Sequence, residues 1–125
     1  TDILIGAPDA AGGGAQRGAA YIAFGDATVG PLALGSLDGS RGFSMIGLED
    51  HDRLGYSVSA AGDVNGDGRD DILIGAPRTQ SHPGRAYVIF GREFPHPFDA
   101  TLDLATLGSG QGFRIDGASA GDALG

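Results

Sequence analysis

Most of this chain is written twice. Asp2-Ile3-Leu4-Ile5-Gly6-Ala7-Pro8 recurs as Asp71-Ile72-Leu73-Ile74-Gly75-Ala76-Pro77, and Gly18-Ala19-Ala20-Tyr21-Ile22-Ala23-Phe24-Gly25 as Gly84-Arg85-Ala86-Tyr87-Val88-Ile89-Phe90-Gly91. Leu32, Leu34, Leu37, Gly42 and Phe43 return as Leu102, Leu104, Leu107, Gly112 and Phe113. Asp52-Arg53-Leu54-Gly55 has its echo in Asp122-Ala123-Leu124-Gly125. The order is kept and only the loops change length. A sequence repeated in this way folds as like units, each burying a face on its neighbour.

The repeated blocks read as strands. Ile-Leu-Ile and Tyr-Val-Ile-Phe are short β-branched or aromatic runs bounded by Gly and Pro, and no stretch of comparable length has a helical period. The segment from Phe98 to Leu107 alternates more than it turns, with room for one short turn. Glycine makes up 24 of 125 residues, far above the usual share of about 7%, while 41% hydrophobic content is too high for a disordered tail. The chain therefore folds, with many tight turns. One repeat supplies strands near 55–61, 71–76, 84–90 and 112–117. Four antiparallel strands per evenly spaced unit is the arithmetic of an all-β propeller blade rather than of a sandwich. The chain opens at the second strand of one unit and stops at a Leu-Gly that opens another. About two blades are expected, the first truncated, in a piece of a longer protein or in a protomer that completes its ring by association.

One loop carries a sharp chemical pattern. Asp63-Val64-Asn65-Gly66-Asp67-Gly68-Arg69-Asp70-Asp71 puts side-chain oxygens at its first, third, fifth and ninth positions. Calcium takes six to eight oxygens at about 2.3–2.6 Å, and a curled loop presents alternate side chains plus one carbonyl. Gly68 supplies a sharp turn, so Arg69 is expected to offer its backbone oxygen with its guanidinium in water. Asp71 is expected to close the shell with both oxygens. The expected ligands are thus Asp63, Asn65, Asp67, Arg69 and Asp71, around Ca2+. An EF-hand needs a bidentate Glu at position twelve between helices, but Ile74 stands there, inside a strand. The competing reading is a polar Asp-Gly turn without an ion. Against it, four carboxylates within nine residues repel one another unless a cation sits among them.

These residues resemble the FG-GAP repeats of the integrin α-subunit β-propeller and their bacterial relatives. Leu54-Gly55 stands where that family has Phe-Gly, Gly75-Ala76-Pro77 is the Gly-Ala-Pro, and the acidic loop lies between them. Long connections such as Thr101 to Gly112 look more like the prokaryotic relatives. The resemblance implies a seven-bladed propeller with calcium loops on one face and partners on the other. It divides the chain into a partial blade over residues 1–54 (strands two to four) and a blade with the calcium loop over residues 55–125. Asp2 matches the ninth ligand, but the rest of its loop is absent. On this topology the loops Pro8–Arg17, Pro77–Pro83, Gly47–Arg53 and Gly117–Ala123 share the recognition face. The calcium loop, Gly25–Arg41 and Gly91–Gln111 lie opposite.

The remaining candidates are weaker. Glu49-Asp50-His51-Asp52 gathers three carboxylates and an imidazole, but reads as a solvated loop. His82 and His96 each stand beside Pro and read as surface residues. Ser57, Ser59, His51 and Asp63 lack any nucleophile elbow, so a hydrolase triad is not expected. Gly12-Gly13-Gly14 lacks dinucleotide-binding spacing and reads as a turn. The recurring aromatics Tyr21, Tyr87, Phe24, Phe90, Phe43 and Phe113 are expected to pack between blades.

Chemistry narrows the function further. Eight Arg, no Lys and sixteen acids give a net charge of −8, so no basic stripe exists for nucleic acid. No Cys means no disulfides, thiolate zinc sites or thiol catalysis. No apolar run approaches the roughly 20 residues of a membrane helix, and no membrane insertion is expected. The expected function is non-catalytic: a calcium-binding repeat that is structural, adhesive or protein-interacting, in an extracellular or cell-surface protein. Its expected partners are the ion, a protein ligand or further copies of the chain. The alternatives are a fragment of a secreted hydrolase or lyase carrying a propeller, and a self-assembling propeller fragment.

Overall fold

The computed structural model describes residues 2–25, 30–77, 83–92 and 100–125. His82 and His96 lie outside the described residues. The described strands are β1 (Ile3–Ala7), β2 (Ala19–Ala23), β3 (Gly42–Ile46), β4 (Ser57–Gly62), β5 (Asp71–Ala76), β6 (Arg85–Ile89), β7 (Thr101–Leu102) and β8 (Gly112–Asp116). The two halves carry matching single 3-10 turns, Leu34–Ser36 and Leu104–Thr106. The second falls in the segment where a short turn had room to form. Among the described residues there is no α-helix.

The strands form two four-stranded sheets, β1-β2-β3-β7 and β4-β5-β6-β8. The fold is all-β, built of propeller-type blades. The second sheet is wholly antiparallel, as the repeat arithmetic expects. The first departs from it. Its fourth member, β7, comes from the second half of the chain and runs parallel to β3, with Ser44 opposite Thr101 and Met45 opposite Leu102. Ser44 N–H donates to the Ala100 carbonyl at 3.0 Å. The second unit thus lends a strand to the first.

Side-chain alternation decides how the sheets meet. Residues opposite one another in a sheet share a face, so Ala20, Ile22, Phe43 and Met45 form one face of the first sheet. Ile74, Ala76, Tyr87 and Ile89 lie in the same buried cluster from the second sheet, and Leu54, Leu102 and Leu104 complete it. The core therefore sits between the blades. Removing such apolar surface from water contributes about 25 cal/mol per Å², and neither sheet buries this face alone. The expectation that recurring aromatics pack between blades is met by Phe43 and Tyr87, both essentially inaccessible, but not by Phe113, which is 40% exposed. Phe24–Phe43 and Phe90–Phe113 instead repeat a tilted ring pair within each unit, with centroids 6.2 and 5.9 Å apart.

The repeated Gly-Ala-Pro glycine has a packing reason. A Cβ on Gly6 would run into the Gly55 carbonyl oxygen, and one on Gly75 into that of Gly125. At this point the backbone that opens the next unit crosses the strand too closely for any side chain. Gly55 N–H in turn donates to the Gly75 carbonyl at 2.9 Å. Parallel bridges Gly18↔Leu54 and Gly84↔Leu124 repeat the same docking in both halves.

Candidate functional site

The acidic loop joins β4 to β5. The ladder slips by one residue between Ala60 and Gly62, which sends the chain out of the sheet just before Asp63. Gly66 and Gly68 then take positive φ of 77° and 84°, a region open to glycine at little cost, and curl the loop back.

Short polar side chains fasten this curl from inside. Asp67 N–H donates to both Asp63 Oδ1 (2.9 Å) and Asn65 Oδ1 (3.1 Å), so two side-chain oxygens crowd one amide. Gly68 N–H donates to Asp63 Oδ2 at 2.8 Å, and Arg69 N–H to Asp67 Oδ1 at 2.9 Å. Asn65 Nδ2 donates to Asp67 Oδ2 at 2.9 Å. The Arg69 side chain is partly exposed, and its Nη1 lies 3.8 Å from Asp67 Oδ2.

Asp71 differs from the others because it is fully buried. Its Oδ2 accepts from Val64 N–H at 2.8 Å and its Oδ1 from Gly91 N–H at 2.9 Å, so one carboxylate ties the loop to the end of β6. The first unit repeats the second bond: Asp2 Oδ1 accepts from Gly25 N–H at 3.0 Å.

The donor set is all oxygen, the chemistry of a hard divalent cation such as calcium, and each carboxylate oxygen has a second lone pair beyond its amide bond. Among the described residues, no three His, Cys, Asp or Glu side chains are gathered as they would be around a bound ion. The five expected ligands do fall on one loop, with Asp63, Asn65 and Asp67 linked through one amide and Asp71 at the strand mouth.

The opposite end of the sheets is held by ion pairs. Arg17 Nε meets Asp50 Oδ1 at 2.9 Å, Ala15 N–H donates to the same oxygen at 3.2 Å, and Arg53 Nη2 meets Asp9 Oδ1 at 2.9 Å. These contacts bring the Pro8–Arg17 and Gly47–Arg53 loops to one end, as the strand order implies. The hydrogen bond from Arg17 holds the Asp50 carboxyl below its ordinary pKa.

Glu49 to Asp52 is only in part the solvated loop expected from sequence: the Glu49 and Asp50 side chains are exposed, but Asp52 is not. Asp52 is 1% exposed, and its Oδ2 accepts from Glu49 N–H at 2.9 Å. Arg85, on the other sheet, reaches Glu49 Oε1 at 2.9 Å and Asp52 Oδ2 at 3.7 Å. Burial pulls the Arg85 guanidinium down, but the Glu49 hydrogen bond and neighbouring charge raise its pKa on balance. Burial likewise pushes the Tyr87 phenol up. This inter-sheet clamp was missed, although the recurrence of Asp52 as Asp122 is a signal for it: Asp122 Oδ2 accepts from Ser119 N–H at 2.7 Å in the same way.

The imagined triad is not assembled. Ser57 Oγ donates to the Gly125 carbonyl at 2.6 Å, while His51 Nδ1 pairs with Gln16 Oε1 at 3.3 Å. Gly12 and Gly13 have positive φ, in the turn closed by Gly14 N–H to the Ala11 carbonyl. No helix among the described residues is long and apolar enough to cross a membrane.

The stretch from Leu54 to Ile89, which contains the acidic loop, β4, β5 and β6, matches the model of the FG-GAP repeat family. The chain carries an FG-GAP repeat. Rattus norvegicus phosphatidylinositol-glycan-specific phospholipase D is 41% identical over 71 residues, covering 52% of this chain and 8% of that protein. Caenorhabditis elegans integrin alpha pat-2 is 34% identical over 79 residues, covering 62% of this chain and 6% of that protein. Mus musculus integrin alpha-M is 35% identical over 66 residues, covering 53% and 5%. The chain therefore spans less than a tenth of the length of these relatives. No solved structure matches it.

Proposed function

We propose that this FG-GAP chain is a non-catalytic, calcium-stiffened propeller module of an extracellular or cell-surface protein, with residues 1–54 forming part of one blade and 55–125 the next. Calcium would be held by Asp63, Asn65 and Asp67 side chains, the Arg69 carbonyl and Asp71. The carrying observation is the convergence of Asp63 Oδ1 and Asn65 Oδ1 on the single Asp67 amide. The backbone holds these oxygens on one loop, and the carboxylates of Asp67 and Asp71 would close around the cation with them. The ion supplies positive charge among carboxylates that otherwise repel, and it acts on stability rather than on bond chemistry. The loops at the opposite end, clamped by Arg17–Asp50 and Arg53–Asp9, offer the surface for a protein partner. Likeness to integrin α chains supports the adhesive reading and the cell-surface location.

A second reading rests on the phospholipase relative: the module accompanies a hydrolase whose chemistry lies elsewhere in the protein. Both readings expect no phosphodiesterase turnover from the chain itself, and an assay of the full-length protein that carries it separates them.

The test of the main reading is thermal melting with calcium and with chelator. Binding to the folded form alone stabilises by about 2.7 kcal/mol at a hundredfold excess over Kd. At about 3–5 °C per kcal/mol for a chain of this size, that raises Tm by about 10 °C. Asp67→Ala should remove the difference between the two curves. Superimposable wild-type curves would overturn the proposal.

A further inference from the structure

The internal repeat allows each half of the molecule to be compared with itself. In the first unit, β3 is covered: Phe43 and Met45 are 2% and 0% exposed, and Leu102 and Leu104 of the second unit lie buried beside them. The parallel strand β7 covers that edge. In the second unit, β8 takes the place of β3, and Phe113 and Ile115 take the places of Phe43 and Met45. Both are 40% exposed, and the outer edge of β8 has no strand beside it among the described residues.

The missing cover is also present in the chain. Leu32 and Leu34 are the repeat counterparts of Leu102 and Leu104, and the Leu34–Ser36 turn is the counterpart of the Leu104–Thr106 turn. Leu32 and Leu34 are only half-buried and belong to no strand. Pro31 stands at the place of Thr101. In a parallel ladder, the residue opposite bonds to the neighbours of its partner, so the amide at that place is not used and proline is tolerated.

From this we infer that β8 is a docking edge for residues 31–34 of a second copy of this chain, added as a short parallel strand with Leu32 opposite Ile115. The register is copied from Met45 opposite Leu102 within the chain. The faces agree with it. Ala86, Val88, Phe113 and Ile115 form the sheet face turned away from the first unit, the counterpart of the face on which the second unit already sits. Since the donor and acceptor segments lie on different units, the contact is head-to-tail, and each copy can accept one neighbour and dock on another. The joint specifies the partner within the proposed function, and it does not involve residues 63–71. Its failure and that of the calcium site can therefore be told apart.

Sedimentation velocity on the chain tests this, in calcium and in chelator. The wild type should show mass rising with concentration past the dimer. Leu32→Asp and Phe113→Asp should each be folded, by circular dichroism, and monomeric. Mixed in equal amounts they should form dimers and nothing larger, because one intact donor meets one intact acceptor. If Phe113→Asp does not fold, Ile115→Asp on the same exposed edge replaces it. A wild type that stays monomeric up to its solubility limit overturns the inference. Two folded variants that associate like the wild type, or that give no dimer on mixing, overturn it as well.

Discussion

Removing the Asp71 carboxylate should be among the most damaging single changes at the acidic loop, and the cost can be worked from its contacts. The side chain is fully buried and accepts from Val64 N–H at 2.8 Å and Gly91 N–H at 2.9 Å. Hydrogen bonds to a charged group are worth about 1.5–3 kcal/mol each, and truncation leaves both amides without this acceptor. Asp71→Ala should therefore cost about 3–5 kcal/mol. With a urea m-value of about 2 kcal/mol/M, the unfolding midpoint falls by about 2 M. Urea unfolding followed by circular dichroism in chelator measures this term without any contribution from an ion. Asp71→Asn, whose one amide oxygen can still accept, should recover part of the loss. Asp2→Ala, which loses a single bond at an exposed site, should cost less than about 1.5 kcal/mol. A loss below about 1 kcal/mol for Asp71→Ala would refute the reasoning, because it would mean that the tie between loop and β6 carries little of the fold.

Other changes follow from the same geometry. Gly6→Ala drives a Cβ into the Gly55 carbonyl and should cost about 1–3 kcal/mol, whereas Gly35→Ala, with open space around it, should be nearly neutral by the same assay. Phe43→Ala, in the core between the sheets, should cost about 3–5 kcal/mol in thermal or chemical unfolding. The Arg17–Asp50 pair should weaken in acid. Because the Asp50 pKa is depressed in the folded state, its contribution is complete above the unfolded value of about 3.9 and is lost as pH falls through the lower folded value. The gap in Tm between wild type and Asp50→Asn should thus close as pH is lowered through that window.

The strands were legible because their signals are local. Ile72-Leu73-Ile74 and Tyr87-Val88-Ile89 are β-branched and aromatic runs fenced by Gly and Pro, and their recurrence near the start of the chain fixed the unit. The acidic loop was legible for the same reason, since Asp63, Asn65, Asp67 and Asp71 lie within nine residues. What escaped were contacts between units. The strand β7 is two residues long and pairs with Ser44 and Met45, far back in the chain, and the alternation of its own segment says nothing of that partner. The parallel sense also breaks the antiparallel rule that the rest of the fold obeys. Asp52 read as solvent-exposed because its neighbours are polar. It is buried because Arg85, on another sheet, lies against it and the Glu49 amide needs its oxygen. Phe113 matches Phe43 in sequence yet differs from it in exposure, because exposure depends on what sits on the face and not on the residue itself.

The most direct test of the calcium cage is titration calorimetry on carefully demetallated chain. A single saturable heat on adding calcium, absent from Asp67→Ala, is the predicted result. No heat from a folded wild-type chain at millimolar ion would contradict it and leave residues 63–71 as a turn held by its own amides.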